Sequence, residues 1–349
     1  MGVTLVSTAP PRVRADGTVA IVSPSFGAVG AWPHRAERGS AYLESLGLST
    51  KLMPSAARND SWVSASAEER AADIHTAFAD PEVDVVLASI GGNHSNQLLP
   101  LLDFDLIASH PKVFQGFSDN TVLCWALLVG AGLRTFYGPA LTANLGEYPE
   151  VFDLTHRTMT TAWFGDEPLR YEPAEEWTEE ILDWDQRIDL TRPRAMRPGG
   201  GWVTIREGAA EGPLIGGCLE SICWHLKGGP FWPDLEGAIL FLETSEEAPS
   251  PAHVDAYLTD LGQLGAFEQA SALVIGRPRD YSEEDSKTLW RVAADRTEHY
   301  GLPVLGDVDC SHTDPMLTLP LGCPARVDAG AKRFETLDPA TAPRPPTRI

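Results

Sequence analysis

Positive charge is scarce in this sequence. Its 349 residues hold 27 Lys and Arg against 49 Asp and Glu, a net charge of −22. Such a surface repels phosphate backbones, which excludes a nucleic-acid polymer as partner and leaves only a small phosphorylated ligand in a local pocket. Long apolar runs are missing: no window approaches the ~18 apolar residues of a bilayer span, so no membrane partner is expected. Residues 1–16 contain Pro10, Pro11 and two arginines but no apolar stretch of an export signal. Val6 stands where lipidation at Gly2 needs Ser or Thr. The cysteines are few, at 124, 218, 223, 310 and 323, and form neither a C-x-x-C nor a zinc-ribbon spacing. Scattered thiols in odd number point to a reducing compartment rather than a disulfide framework. Neither H-x-x-x-H nor H-E-x-x-H occurs, so no paired-histidine metal motif is present. Gly199, Gly200 and Gly201 lack the Lys-Ser/Thr of a phosphate loop and read as linker. There is no internal repeat. These absences describe a soluble cytoplasmic protein.

What is present is ordinary globular material. Hydrophobic residues make up 43% and charged residues 22%, and the length suits two domains. In the first half, apolar strands at 18–23, 83–90, 113–116 and 134–137 alternate with helices at 33–46, 66–79 and 121–129. The helix at 66–79 opens with a capping box, Ser66 to Glu69. That alternation predicts an α/β fold with a doubly wound parallel sheet, whose ligands bind at the strands' C-terminal ends. Three loops sit there: 24–27, 91–96 and 116–120. Residues 166–205 change character, with an acidic stretch holding Trp177 and Trp184 followed by a Pro- and Arg-rich one. They read as a connecting segment between residues 1–165 and 206–349. The second half alternates strands at 237–242, 272–276 and 303–308 with helices at 253–264 and 283–300, a mixed α/β unit. After Leu337 the chain is Pro-rich and expected to fray.

The stretch from Val113 to Val122 reads as a strand, a glycine bend, a serine and a helix start. Gly116 permits the bend. Ser118 at its top projects a hydroxyl away from the sheet, and the Asp119 amide points where an oxyanion forms, backed by the helix dipole. The plain alternative is a helix N-cap. Two further polar side chains end or follow buried strands, Glu243 and His312. A serine becomes a nucleophile when a neutral imidazole takes its proton, and a carboxylate fixes that imidazole's tautomer. Ser118, His312 and Glu243 are a sufficient set. Glu243 alone also reads as a cap for the helix near Ser250 or a partner for an arginine. Asp307, Asp309 and His312 form a rival metal loop, and Cys310 beside His312 a rival nucleophile. A bilobed small-molecule binding protein is the non-enzyme rival.

Stretches at Ser25-Phe26-Gly27, 89–99, 116–119, 137–139, Gly216-Gly217, 242–247 and 306–312 follow one pattern in order. In that pattern the chain, over about residues 17–335, resembles the LD-carboxypeptidase family of serine peptidases, in its microcin C7 self-immunity branch. The resemblance implies a flavodoxin-like N-terminal domain carrying Ser118, and a swivelling C-terminal domain supplying Glu243 and His312. It implies an oxyanion hole of the Gly92 and Asp119 amides, a homodimer, and no cofactor or metal. Ile90 and Asn93 flank the Gly91-Gly92 pair as in the immunity branch, which cleaves the amide joining an aminoacyl group to a nucleotide or its mimic. Muropeptide LD-carboxypeptidases, which release a terminal D-amino acid, are the alternative. Gly91 and Asn93 are then expected at the substrate, and Trp184, ahead of Trp177, stacks on the base. Cys218 and Glu220 depart from the family's Asn and uncharged polar residue. A carboxylate at Glu220 repels a phosphate, so the ligand is expected to differ from the known antibiotic.

Overall fold

Five strands build the first sheet: β1 (Thr18–Val22), β2 (Ser49–Leu52), β3 (Val83–Ala88), β4 (Val113–Gly116) and β5 (Thr135–Tyr137). The structure, a computed structural model, describes residues 7–344. β1, β3 and β4 are rich in Val, Ile, Leu and Phe and buried on both faces, Asp84 and Gln115 included, as a sheet covered by helices on both sides requires. The order is β2-β1-β3-β4-β5, all parallel, the flavodoxin-like arrangement. Its switch point lies between β1 and β3. A sixth strand, Leu319–Leu321, arrives from the far end of the chain and pairs antiparallel with β5.

The second sheet has eight strands. Its centre is four parallel ones, Ala209–Cys218, Ile239–Glu243, Ala272–Gly276 and Val304–Val308. Antiparallel partners flank them on both sides. The protein is thus a mixed α/β molecule with two sheets, as the sequence pattern predicts. Helix Thr121–Gly130 lies where the sheets meet, and all of its first eight residues are buried. The capping box on helix Ala67–Ala79 is formed in full by Ser66 and Glu69.

Residues 166–205 do more than connect. Arg170–Tyr171 and Val203–Arg206 are edge strands of the second sheet, and Glu176–Trp177 pairs with Arg197–Pro198. The short turn Ile188–Leu190 is fastened by buried Asp189, which takes His34 at 3.1 Å, Arg35 at 3.1 Å and also Arg38. The expected fraying after Leu337 does not occur in the described part. Ala340 and Thr341 are buried, and the Arg134 guanidinium donates to the carbonyls of Pro339 and Ala340 at 2.8 and 3.1 Å. Ala342 also bridges to Pro11. Proline cannot continue a helix or strand ladder, but it does not stop backbone carbonyls from being captured by an arginine. Residues 345–349 of that tail, and residues 1–6 of the stretch read for a leader, lie outside the described residues. Among the described residues no helix is long and apolar enough to cross a membrane.

Candidate active site

β4 ends at Gly116 because the chain must turn hard against its neighbours. A Cβ there would lie 2.9 Å from the Ala88 and Asn120 side chains. Ser118 follows with φ of +60°, a left-handed conformation that a non-glycine residue holds only where surroundings impose it. The Ser118–Asn120 turn then feeds helix Thr121–Gly130. Gly91 faces the serine so closely that a Cβ would come 2.8 Å from the Ser118 Cβ. Gly92, at φ of +136°, leaves its amide free, and the Asp119 amide is free too: among the described residues neither has an acceptor. The two loops are tied by the Asp119 carboxylate, which accepts from the His94 and Ser95 amides at 3.0 and 2.9 Å.

Glu243 ends its strand with its side chain buried. Its Oε2 accepts from His312 Nδ1 at 2.8 Å, which fixes the ring's orientation. Its Oε1 accepts from the Tyr137 hydroxyl at 2.5 Å, and that hydroxyl accepts the Ser118 amide at 3.0 Å. Tyr137 therefore joins serine and carboxylate across the two sheets. Burial alone would lower the His312 pKa, but the carboxylates of Glu243 and Glu246 outweigh it and hold the imidazole well above its ordinary value. Nε2, the nitrogen that would serve the serine, is not hydrogen-bonded to the Ser118 hydroxyl. It faces Glu246 Oε2 at 3.0 Å instead. The structure brings Glu243 and His312 into contact and sets Ser118 in the same cavity, short of a serine–histidine hydrogen bond.

That cavity holds about 390 Å³ between the two lobes, in the size range of small-molecule sites. Gly91, Gly92, Phe117, Ser118 and His312 form its floor, and Phe26, Trp32, Ile181 and Trp184 its apolar wall. Trp184 is held by the Arg35 guanidinium, 4.1 Å over its ring, and by the edge of Trp32 at 4.9 Å. Trp177 lies between Arg197 and Arg277 and does not line the cavity. Asn93 is exposed on the rim. Behind Ser118 is a niche of about 10 Å³ bordered by Asn93, Glu220, Trp224, Glu246 and Glu247. Glu220 is buried there; its Oε1 accepts from the Ser245 amide and hydroxyl at 3.0 and 2.7 Å. Burial and the charge of Glu243 push its carboxyl up.

The rival arrangements find other employment. Asp309 is fully buried and takes Arg277 at 2.6 Å, the Trp202 indole at 2.9 Å and the Ala174 amide at 3.2 Å. Asp307 faces the same arginine at 3.3 Å. Cys310 is buried and its thiol is pushed far up by burial, which suits no nucleophile. Sequence reasoning missed Tyr137, Glu246, Trp32 and the Asp119 carboxylate. Tyr137 stands in a recognised stretch, but its role depends on a partner 106 positions away, which no local pattern reveals.

Residues 19–138 match the LD-carboxypeptidase N-terminal domain and residues 211–327 the LD-carboxypeptidase C-terminal domain. The chain is 31% identical to the microcin C7 self-immunity protein MccF of Escherichia coli, over 91% of this chain and 92% of that one. It is 34% identical to the putative carboxypeptidase YocD of Bacillus subtilis, over 82% and 86%. Solved structures of MccF with glutamyl sulfamoyl guanosine and with aspartyl sulfamoyl adenosine superpose with a TM-score of 0.88 at 29% identity, covering 96% of this chain and 99% of theirs.

Proposed function

Since the chain belongs to the LD-carboxypeptidase family of serine peptidases, we propose that it hydrolyses the amide of a small aminoacyl- or peptidyl-nucleotide compound, with Ser118, His312 and Glu243 as its triad. The observation that carries this reading is the 2.8 Å bond from His312 to Glu243 on the floor of the cavity that holds Ser118. His312 Nε2 takes the serine proton as Oγ attacks the carbonyl carbon. The oxyanion forms between the Gly92 and Asp119 amides, each worth about 3 kcal/mol of barrier. His312 then returns the proton to the leaving nitrogen, the amide bond breaks, and water releases the acyl group by the same steps in reverse. Glu243 orients the imidazole and supports its charge.

The aromatic wall of Trp184 and Trp32, neither of which borders the niche, supports a nucleobase as the leaving portion. Gly91 and Asn93 border the acyl path, and Glu220 faces the niche. We read residues 1–165 as the unit carrying the nucleophile, 166–205 as the segment bringing Trp184, and 206–349 as the unit carrying base and carboxylate. The assembly we expect is a cytoplasmic homodimer, which light scattering of the purified protein checks. Hydrolysis of aspartyl sulfamoyl adenosine is set against hydrolysis of a peptidoglycan tetrapeptide. Turnover of the first, and its loss in Ser118→Ala with the fold intact, is the expected result. Turnover of the tetrapeptide alone moves the protein to muropeptide trimming, and an active Ser118→Ala removes the nucleophile.

A further inference from the structure

One carboxylate in the cavity has no role in the mechanism above. Glu246 places Oε2 3.0 Å from His312 Nε2, the atom that must receive the serine proton. The contact is an ion pair too poorly aligned for a hydrogen bond, so Nε2 is left without a hydrogen-bond partner although the His312 side chain is only 7% exposed. The other acids on the cavity wall are committed. Glu179 holds Arg197 at 2.5 Å and the Asp280 amide at 2.8 Å. Asp314 holds Arg194 at 2.7 Å and Asn144 at 2.8 Å. Of the cations on that wall, Arg194 is taken by Asp314 and Glu147, and Arg279 lies 3.1 Å from Asp280. Glu246 keeps 55% of its side chain exposed and has no ion-pair partner but His312 among the described residues. It also borders the niche behind Ser118, which has room for one group the size of water or ammonium. No Lys or Arg lines that niche.

We propose that Glu246 is the receptor for the free α-ammonium of the substrate's aminoacyl group, and that taking this cation releases His312 to act on Ser118. The inference rests on the aminoacyl-amide reading above. In such a compound the ammonium is two bonds from the attacked carbonyl carbon, so it enters beside Ser118 and next to Glu246. Glu246 exchanges an imidazolium for an ammonium and loses no ion pair. His312 keeps Glu243 but loses its second anion. Two carboxylates hold the resting imidazole in its charged form, which cannot accept a proton; with one removed, the Nε2 proton passes to water and the neutral ring faces the serine. Phe117, 5.0 Å away, is the uncharged neighbour on the remaining side. Partial desolvation beside the buried imidazole opposes ionisation of Glu246, but His312 and, less strongly, Arg279 override it and hold the carboxyl down at about 2, so it is an anion whenever substrate arrives. A compound with a blocked amine leaves the resting pair in place.

The test compares aspartyl sulfamoyl adenosine with its α-N-acetyl derivative on the wild-type protein, Glu246→Gln and Glu246→Asp. A charge-assisted contact of this kind predicts that the wild type favours the free amine by about 30-fold in kcat/KM. In Glu246→Gln the two compounds become equivalent and the acid limb of kcat/KM moves to lower pH, because His312 has lost one anion. Glu246→Asp regains part of the preference, which a loop residue with a merely structural role would not do. An equal rate for both compounds in the wild type, or an undiminished preference in Glu246→Gln, overturns the proposal. Hydrolysis of neither compound removes the substrate reading and this inference with it, whereas an active Ser118→Ala removes the nucleophile alone.

Discussion

Ser118 is asked to do two incompatible things: to be a side chain and to sit where glycine is comfortable. Its φ of +60° costs an L-residue about 1 kcal/mol or more, held there by Gly116, Gly91 and the following helix. Removing the side chain relieves that cost, whereas trimming it to a methyl does not. Ser118→Gly is therefore expected to be more stable than Ser118→Ala by about 1 kcal/mol in urea unfolding, though both are inactive. Equal stabilities would mean the bend is not strained. Tyr137 is the second test at this scale. Its hydroxyl serves the Ser118 amide and Glu243 at once, both in buried surroundings. Tyr137→Phe strands one donor and one acceptor, an expected loss of about 2 kcal/mol in stability. Because Glu243 then has fewer partners, kcat is expected to fall while KM changes little.

At the scale of elements, the wall that carries Trp184 depends on one buried ion cluster. Asp189 gathers His34, Arg35 and Arg38, and Arg35 in turn lies over the Trp184 ring. Burial pushes the Asp189 carboxyl up, but the arginines outweigh it and hold it below its usual range. Such a group stabilises the fold above the ordinary carboxylate pKa and loses that contribution as pH falls through the lowered folded value. Asp189→Asn removes the carboxylate that Arg35 and Arg38 share and leaves Arg35 only Glu147 at 3.8 Å as a carboxylate partner, which costs about 2 kcal/mol and frees the segment around Trp184. Faster amide exchange confined to residues 179–191, with a raised KM, is the expected reading; unchanged exchange there would show that the hairpin Glu176–Trp177 with Arg197–Pro198 suffices. Elements were unevenly legible. β1, β3, β4 and Ile239–Glu243 are dominated by Val, Ile, Leu and Phe, with Asp84 and Gln115 the internal polar residues, and are plain in the sequence. Strand Ala209–Cys218 is not, because it reads AAEGPLIGGC, with glycines where strands favour branched residues. The structure gives the reason for one of them: a Cβ on Gly217 would strike Thr121 at 2.5 Å, where the helix behind Ser118 crosses the strand. The same close approach lets the helix that follows Ser118 seat against the strand, so the glycine that hid the strand is needed for that packing. The Ser118 bend, Glu243 and His312 were legible because each adjoins a recognisable strand. Glu246 was not, since its meaning lies in a distance to a ring 66 positions away.

For the whole molecule, the proposed triad draws on both sheets, so its geometry is only as firm as their joint. That joint is made of buried, directional contacts. The Trp125 indole donates to the Gly216 carbonyl at 2.8 Å, the Cys218 amide to the Thr121 hydroxyl at 3.0 Å, and the Met316 amide to the Thr155 hydroxyl at 2.8 Å. Strand Leu319–Leu321 adds backbone pairing, since it belongs to the first sheet while the strands on either side of it in sequence belong to the second. Helix Thr121–Gly130 buries apolar surface against both. If either half unfolded alone, it would strip these partners from the other and expose the helix, at a cost no half of this size recovers. The halves are therefore expected to unfold as one unit. Far-UV dichroism, which follows backbone of both sheets, and tryptophan fluorescence should give coincident urea transitions, and ligand in the cavity should raise both by the same amount. Two separated transitions, or a ligand that moves only one, would mean that the joint yields first and that the alignment of Glu243 and His312 with Ser118 is made only when substrate draws the lobes together.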